Sequence, residues 1–345
     1  MQHVKRQGKL IQMKRICSLA LVSILSASCQ AQEHPGAEEF AARAAEEFQL
    51  DSAQVLSLLH DARFKQSIVD AISRPAEAKP WYEYRPIFIT DKRIKGGVEF
   101  WRENEELVRQ ASERFGVEPQ VIVAIIGVET FYGRITGSYR VLDALATLSF
   151  HYPDTGNDRS GFFSRELMNF LVLGGEEGLP LREVTGSYAG AMGLGQFMPS
   201  SYREYSVDLD GDGRRDLWSS MPDVIGSVAN YLHRHGWTAG QPVTYPAVVA
   251  ADADLELVAR SDFKPKLTLA ELGAAGFAAQ LPAGGGEASV ADDTPAAVAR
   301  LEEQDGDRYW ITFDNFYVIT RYNRSPLYAM AVHELSEAIL AGYAQ

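Results

Sequence analysis

One glutamate stands where a carboxylic acid could act on a substrate. Glu129 follows the almost wholly apolar run 121–128, and Gly133, four residues later, is suited to ending a helix. A carboxylate there faces the negative end of the helix dipole among apolar neighbours, so we predict a raised pKa for Glu129. A carboxylic acid that keeps its proton near neutral pH can protonate a glycosidic oxygen. The alternative is a structural glutamate held by backbone donors or by Arg134.

A second segment combines small residues with one amide side chain. It runs from Ser187 to Tyr202 with the sequence SYAGAMGLGQFMPSSY, and Gln196 follows the last of its three glycines. Glycine allows another chain or a ligand to approach closely, and the Gln196 amide both donates and accepts hydrogen bonds. The glycine spacing differs from that of dinucleotide-binding loops, and we expect no organic cofactor. The segment predicts either a ligand-binding loop or a tight crossing of two helices.

An acidic loop has the pattern of a calcium site. Four aspartates fall at positions 1, 3, 5 and 9 of an EF-hand loop: Asp208, Asp210, Asp212 and Asp216. Gly213 occupies position 6, and Arg214 at position 7 would contribute its backbone carbonyl. Ser219 stands at position 12 instead of the usual glutamate, and Asp223 could replace it in a longer loop. The pattern predicts a structural Ca²⁺ site, and the alternative is a solvated turn.

The first 28 residues predict an export signal. Lys14 and Arg15 precede an apolar run at 16–25, and small residues at 26–28 lead into Cys29. The run has about half of the roughly 20 residues that cross a bilayer, which favours a signal peptide over a membrane-spanning helix. Cys29 after small residues is similar to the cleavage box of bacterial lipoproteins, with Ser26 where an aliphatic residue is usual. We expect lipidation of Cys29, and the alternative is ordinary cleavage nearby.

Charge and cysteine content exclude several classes of protein. The chain of 345 residues has a net charge of −13; its first 28 residues hold five basic residues and no acidic one, so the rest carries −18. Such an acidic protein is poorly suited to bind nucleic acid. The two cysteines are Cys17, within the signal, and Cys29, so a disulfide-built scaffold is excluded as well.

The elements that must hold these residues are mainly helical. Apolar periodicity predicts helices within 37–73, 97–115, 119–132, 141–150, 162–173, 224–235 and 328–340. The helix at 119–132 is apolar on nearly every side, which indicates a position in the core. Pro75, Pro80 and Pro86 predict a surface loop at 75–86.

Strands are predicted only after Trp237. Residues 243–249 and 309–322 have the aromatic and β-branched composition of strands. The glycines at 284–286 and the Ala- and Asp-rich stretch up to Pro295 predict a flexible surface loop between them. The sequence therefore predicts a mainly α, α+β protein with a small strand-containing insertion.

Together these motifs resemble the membrane-bound lytic murein transglycosylase B family of bacterial envelopes. The resemblance is carried by GVETFYG at 127–133, LDALATLSF at 142–150, AGAMGLGQFMPSSY at 189–202, the acidic loop, IGSVANY at 225–231 and VITRYN at 318–323. A glutamate ahead of a segment rich in glycine and glutamine is shared by many lysozyme-like folds. The full set, in the same order over residues 50–345, is specific.

The resemblance implies a fold and a domain layout. It implies a lysozyme-like helical core with an additional helical domain, a small β domain and an EF-hand-like calcium loop in the core. The expected segments are a signal peptide at 1–28, a tether at 29–36, an N-terminal helical region at 37–118, a catalytic core at 119–237 with the calcium loop at 208–219, a β-containing region at 238–327 and a C-terminal helix at 328–345. We expect a periplasmic monomer that is lipid-anchored to the outer membrane.

The resemblance also implies a role for each motif. Glu129 would be the single catalytic acid and base. The glycan groove would be lined by six residues: Ser187, Gln196, Tyr231, Tyr322, Asn323 and Tyr328. Calcium would be held by Asp208, Asp210, Asp212 and Arg214, with Asp223 as a further candidate ligand.

The implied reaction cleaves the β-1,4 bond between N-acetylmuramic acid and N-acetylglucosamine in peptidoglycan. Glu129 would protonate the leaving oxygen and then accept the proton of the muramic acid 6-hydroxyl, which closes a 1,6-anhydro ring. Two alternatives stay open: a hydrolytic muramidase, and a non-catalytic, calcium-stabilised peptidoglycan-binding lipoprotein. A two-carboxylate glycosidase would need a second acid, for which the sequence offers Asp143, Asp154 and Asp158.

Overall fold

The computed structural model describes residues 34–74, 78–280 and 290–345. The predicted signal peptide, Cys29 and the triple glycine at 284–286 lie outside these residues. No helix of the described ranges is long and apolar enough to cross a membrane.

The first two thirds of the described chain are mainly helical. The helices there are α1 (Ala37–Phe48), α2 (Ser52–Asp61), α3 (Gln66–Ile72), α4 (Trp81–Phe88), α5 (Asp91–Glu103), α6 (Glu105–Phe115), α7 (Pro119–Thr130), α8 (Val141–Phe150), α9 (Ser160–Glu177), α10 (Pro199–Tyr205) and α11 (Met221–Arg234).

Short strands and further helices complete the chain. Strands β1 (Tyr139–Arg140) and β2 (Thr185–Gly186) form a two-stranded sheet within the helical part. After α11 come β3 (Thr244–Val249), α12 (Glu256–Ala259), β4 (Leu267–Thr268), α13 (Leu269–Ala274), β5 (Phe277–Ala279), β6 (Pro295–Glu303), β7 (Gly306–Thr312), α14 (Asp314–Tyr322) and α15 (Pro326–Tyr343). The observed architecture is mainly helical with a small antiparallel sheet, as predicted.

The main hydrophobic core is built around α7. Residues 121–128 of this helix are all buried, which confirms the core position that its uniform apolarity predicts. Pro119 starts the helix at a position where its missing N–H costs no hydrogen bond. Helices α5, α6, α11 and α15 pack against α7. The core thus holds the end of α7, and with it Glu129, in a fixed position.

The helix predicted at 97–115 is two helices. Asn104 separates α5 from α6, with φ −119° and ψ 26° outside the helical range. Its side-chain amide donates to the Phe100 carbonyl at 2.8 Å, and its backbone N–H donates to the same carbonyl at 3.1 Å, so Asn104 closes the last turn of α5. The helix also begins earlier than predicted, because the Thr90 hydroxyl caps it by accepting from Arg93 N–H.

The prediction of a loop at 75–86 is wrong over its second half. Residues Trp81–Phe88 form α4, and Pro86 lies inside that helix. Trp81 and Tyr84 are each 1% exposed. Their burial against the main core stabilises a helix that the prolines alone disfavour, and it makes Trp81 a core residue.

The sheet has a small core of its own. Its strand order is β4-β6-β7-β3-β5, with every pair antiparallel, and Val298 on β6 lies opposite Ile311 on β7. Its core contains Leu272, Phe277 and Phe313. The predicted strand at 243–249 is confirmed as β3.

The second half of the strand predicted at 309–322 is a helix. Strand β7 ends at Thr312, and α14 begins at Asp314. Its buried positions, which include Phe316 and Ile319, recur at the three- to four-residue spacing of a helix against the main core. The Asn315 amide fixes the start of the helix, since it exchanges hydrogen bonds with the backbone of Thr238 at 2.9 Å. Tertiary packing therefore overrides the local β propensity.

Candidate active site

Glu129 lies at the point where α7 reaches the surface of the core. Residues 121–128 before it are buried, whereas Glu129 itself is partly exposed. The phenol of Tyr328, from the first turns of α15, donates to Glu129 Oε1 at 2.6 Å. Tyr328 is 2% exposed, and burial together with the nearby charge of Glu129 raises its pKa well above the usual value. The phenol therefore keeps its proton and holds the carboxylate by donation.

The turn after Glu129 connects it to the glycine-rich segment. Phe131, with φ 52°, is the left-handed residue that ends α7, although the sequence suggests Gly133 for this role. The Thr130 hydroxyl donates to the Leu194 carbonyl at 2.9 Å and accepts from Gly133 N–H at 3.0 Å. Thr130 is fully buried, so it fixes the two predicted motifs against each other. Sequence reasoning missed Thr130, whose only signal is a polar residue inside an apolar helix.

Gln196 is held in a strained conformation within this segment. Its φ is 50°, which is uncommon for a residue with a side chain. Its amide donates to the carbonyls of Gly193 at 2.9 Å and of Thr136 at 3.2 Å. A Cβ atom on Gly193 would come within 2.5 Å of the Leu217 carbonyl, so the close approach predicted from the glycines is real at this position. The approach is between loops, and it differs from the helix crossing considered as the alternative.

Three of the expected glycan-binding residues form a row of tyrosines beside Glu129. The Tyr231 and Tyr322 ring centroids are 4.6 Å apart, and those of Tyr322 and Tyr328 are 6.4 Å apart with nearly parallel planes. The Tyr322 phenol donates to the Gly195 carbonyl at 2.6 Å, and the Tyr231 phenol donates to the Arg321 carbonyl at 2.5 Å. Burial and the charge of Glu129 raise the pKa of both phenols. The row thus joins α11, α14 and α15 to the glycine-rich segment.

Ser187 and Asn323 take different positions. The Ser187 hydroxyl accepts from Ala191 N–H at 3.0 Å and from Ala189 N–H at 3.3 Å, which closes the turn at the start of the glycine-rich segment. Asn323 is the residue that ends α14, directly after Tyr322 and close in sequence to Tyr328. It is partly buried.

The three other aspartates considered for catalysis have local roles. Asp143 is 4% exposed and accepts from Arg140 Nε at 2.9 Å and from Arg63 N–H at 2.8 Å. Asp154 and Asp158 accept from the backbone two residues ahead and line a surface cavity of about 540 Å³. Glu129 is the carboxylate whose charge acts on the row of tyrosines.

The acidic loop brings three aspartate side chains close together. Asp208, Asp210 and Asp212 each offer one carboxylate oxygen, and these three oxygens lie within 4.8 Å of one another. Asp208 accepts from the N–H groups of Gly211 and Gly213, and Gly213 has φ +87°. This backbone conformation explains the glycine at position 6. Arg214 follows, and its N–H donates to Asp212 at 2.8 Å.

Asp223 and Asp216 hold the backbone of this loop by hydrogen bonds. Asp223 is fully buried at the start of α11; its Oδ1 accepts from Leu209 N–H and its Oδ2 from Asp216 N–H, both at 2.8 Å. It does not join the group of three aspartates described above. Asp216 accepts from Trp218 N–H at 2.8 Å and from the Ser219 hydroxyl. Both carboxylates thus hold the backbone of the loop.

Comparison with known proteins agrees with these features. Residues 32–337 match the family model of the transglycosylase SLT domain. The chain is 41% identical over 316 residues to the membrane-bound lytic murein transglycosylase B of Escherichia coli (strain K12), which covers 89% of this chain and 83% of that protein.

Solved structures share the fold. The soluble lytic transglycosylase SltB1 from Pseudomonas aeruginosa has a TM-score of 0.80 and 46% identity, covering 90% of this chain and 100% of that one. The Escherichia coli lytic transglycosylase Slt35, solved in complex with calcium, has a TM-score of 0.75 and 39% identity over 91% and 95% of the two chains. Pseudomonas aeruginosa SltB3, solved with NAG-NAM-pentapeptide, has a TM-score of 0.75 and 29% identity over 90% and 80%. The chain belongs to the SLT-domain family of lytic transglycosylases.

Proposed function

We propose that this enzyme cleaves the β-1,4 bond between N-acetylmuramic acid and N-acetylglucosamine in peptidoglycan and leaves 1,6-anhydromuramic acid ends. The observation that carries the proposal is the carboxylate of Glu129, which is partly exposed at the end of a buried helix and held by the Tyr328 phenol at 2.6 Å. Two relatives support the choice of substrate: one is named a murein transglycosylase, and SltB3 was solved with NAG-NAM-pentapeptide.

Glu129 acts first as an acid. When a saccharide covers the site, it excludes water from the carboxyl group, and exclusion of water favours the protonated form. The Glu129 proton passes to the glycosidic oxygen as the bond to C1 of muramic acid breaks. The positive charge that develops at C1 is stabilised by the acetamido group of the substrate.

Glu129 then acts as a base. As a carboxylate it removes the proton of the muramic acid 6-hydroxyl, whose oxygen bonds to C1 and closes the anhydro ring. Donation by Tyr328 favours this ionised form and holds the carboxylate in one orientation. The proton that Glu129 donated leaves on the released sugar hydroxyl, and the proton of the 6-hydroxyl restores the acid form of Glu129, so no water is consumed and one carboxylate is sufficient.

The row of tyrosines and the glycine-rich segment form the proposed glycan-binding groove. The ring of Tyr322 is partly exposed and suits the face of a sugar ring, whereas Tyr231 and Tyr328 are 7% and 2% exposed and support it from within the wall. The exposed edges of Gln196, Ser187 and Asn323 suit the hydroxyl and acetamido groups of the sugar. The phenol groups that donate to backbone carbonyls hold the tyrosines rigid. A rigid groove reduces the entropy lost on binding.

A hydrolytic muramidase is the second candidate. It would need a water activated by a second carboxylate, as in most glycosidases. Asp143 is paired with Arg140, and Asp154 and Asp158 each accept a hydrogen bond from the backbone two residues ahead, which favours the mechanism with one carboxylate. The non-catalytic alternative does not explain why a carboxylate occupies a partly exposed position beside that row.

Calcium is the proposed structural ion. The aspartate oxygens of Asp208, Asp210 and Asp212 and the backbone carbonyl of Arg214 are hard ligands that suit Ca²⁺, and the conformation of Gly213 fits the turn. A calcium complex of the related Slt35 supports the choice of metal. The two positive charges of the ion would offset most of the three negative charges and fix the loop ahead of α11, with no part in the chemical step.

The proposed location is the periplasm, with a lipid on Cys29 that anchors the protein to the outer membrane as a monomer. The basic residues, short apolar run and small residues ahead of Cys29 support this assignment. The related Escherichia coli enzyme is named as membrane-bound.

Digestion of purified sacculi in water labelled with heavy oxygen tests the reaction type. Mass spectrometry of the released muropeptides should identify anhydro ends that contain no label, because the new bond to C1 comes from the substrate's own hydroxyl. Reducing ends that carry the label would contradict transglycosylation and establish a muramidase.

A further inference from the structure

A polar cavity of about 460 Å³ lies beside the short sheet of β1 and β2. Arg63 and Lys65, between α2 and α3, form one side of it, and Ser138, Tyr139 and Arg140 form another. This volume falls in the range of small-molecule sites. Ser67 and Asp143 complete the wall, which thus holds three cations and one carboxylate, so a polar anionic ligand suits it better than an apolar one.

The positive charges around this cavity exceed the negative ones. Arg140 is balanced, since it pairs with Asp143 at 2.5 Å and with Asp61 at 2.9 Å. Within the described ranges, the side chains of Arg63 and Lys65 enter no ion pair. A chain with a net charge of −13 thus presents two uncompensated cations at one cavity. The positive field of these two side chains attracts an anionic group.

The backbone that carries the two cations is fixed to the core. Arg63 N–H donates to Asp143 Oδ1 at 2.8 Å, and Lys65 N–H donates to the Thr147 hydroxyl at 3.2 Å. Asp143 is 4% exposed and Thr147 is fully buried, both on α8. A ligand therefore has to order only the two side chains, which keeps the entropic cost of binding low.

The wall of the cavity is continuous with the candidate active site. Tyr139 on β1 pairs with Gly186 on β2, directly before the glycine-rich segment. At the other end, the Gln196 amide donates to the Thr136 carbonyl at 3.2 Å. Thr136 and Arg140 are four residues apart, so the chain between them spans at most about 14 Å. A substituent of a sugar bound near Gln196 can reach the cavity.

We propose that this cavity binds carboxylates of the peptide stem of peptidoglycan. The inference rests on the proposed function, because the stem is the acidic part of that substrate and is attached to the muramic acid next to the cleaved bond. Arg63 and Lys65 donate to stem carboxylates, and the hydroxyls of Ser138 and Tyr139 supply neutral hydrogen bonds. The cavity thereby selects glycan that carries stems.

A charge-removing double variant tests the proposal in the full-length enzyme. Arg63→Gln/Lys65→Gln is compared with the matched control Arg114→Gln/Lys264→Gln, which removes the same charge from exposed residues on other elements. Each is assayed for anhydro ends on intact peptidoglycan and on glycan freed of its stems by an amidase. We expect the first variant to lose about tenfold in kcat/KM on the stem-bearing substrate only. Its melting temperature should stay unchanged, because neither side chain enters an ion pair.

Each other outcome has a definite meaning. An unchanged kcat/KM on the stem-bearing substrate, or an equal loss on both substrates, overturns the proposal. If the double variant instead loses binding to vesicles of anionic phospholipid with unchanged kcat/KM, the cavity belongs to a lipid headgroup and the proposal is likewise overturned. A wild-type enzyme that releases no anhydro ends from either substrate contradicts the proposed function itself.

Discussion

Glu129 lies near the end of the buried helix α7, and its carboxylate is partly exposed to solvent. The Tyr328 phenol fixes its orientation by a hydrogen bond of 2.6 Å. Burial and the nearby charge of Glu129 raise the pKa of Tyr328 well above its usual value, so the phenol keeps its proton at neutral pH and donates it to the carboxylate. Tyr328 is thus a positioning residue whose donation favours the carboxylate that the second half of the reaction needs.

Replacing Tyr328 by phenylalanine should lower kcat by about tenfold or more, since a hydrogen bond to a charged group is lost. The change should leave KM largely unchanged and move the basic limb of the pH–rate profile to higher pH, because the Glu129 carboxylate loses a donor and Glu129 therefore keeps the proton of its acid form to higher pH. Steady-state kinetics across pH provide the measurement. Tyr317→Phe on α14 is the matched control and should behave as wild type. An unaltered kcat and pH profile for Tyr328→Phe would contradict this role.

Sequence motifs predict which residues lie near one another better than they predict the contacts between them. The resemblance implies a common groove for Tyr231, Tyr322 and Tyr328, and these residues form one row beside Glu129. It does not reveal that Ser187 closes its own turn or that Thr130 ties α7 to Leu194. Such contacts depend on backbone positions brought together by the fold, which spacing along the chain does not encode.

At the scale of elements, the failures of prediction have a common cause. Residues 316–320 have strand composition but form α14, and residues 81–88 contain a proline but form α4. In both cases a helix buries large side chains, Phe316 and Trp81 among them, against the main core. A long run of apolar residues such as that of α7 is predicted correctly, because a helix that is apolar on all sides is buried whichever face it turns to its neighbours. Short ambiguous segments take the structure that the core selects.

The acidic loop makes a prediction at the same scale. Chelation should lower the melting temperature by several degrees, because three unneutralised carboxylates would repel each other and the binding free energy of the ion would be lost. At an ion concentration of 100 times Kd that free energy is about 2.7 kcal/mol. Differential scanning calorimetry with and without Ca²⁺ provides the measurement.

A variant separates this site from a general effect of the chelator. Asp210→Asn should melt at a lower temperature than wild type in Ca²⁺ and should no longer respond to chelation. The exposed Asp252→Asn should respond as wild type does. A chelator that leaves the wild-type melting temperature unchanged would refute a structural ion.

For the whole molecule, buried histidines link stability to pH. Burial lowers the pKa of four histidines of the described ranges: His34, His151, His235 and His333. The pKa of His333 falls to about 4, and its Nδ1 is buried without a hydrogen-bond partner among the described residues. In the unfolded chain these groups take up protons near pH 6.5. Below that pH the unfolded state binds more protons than the folded state, so stability falls as the pH drops.

We expect the melting temperature to fall by several degrees from pH 7 to pH 5, and to fall less in His333→Leu. Burial raises the pKa of Glu166 and so acts in the opposite direction, but equally in both proteins. The exposed His60→Gln should keep the wild-type dependence. Thermal melts over this pH range provide the measurement. An identical pH dependence in His333→Leu and wild type would show that His333 titrates as it does in the unfolded chain.

The most direct test of the one-carboxylate mechanism is the yield of anhydro ends from Glu129→Gln. We expect kcat to fall by at least about 100-fold on purified peptidoglycan, because glutamine can neither donate nor accept the transferred proton. The melting temperature should stay near that of wild type, since the amide has the same shape and can still accept from Tyr328. The exposed Glu183→Gln is the matched control and should retain full activity. Wild-type yields of anhydro ends from Glu129→Gln would contradict the central claim.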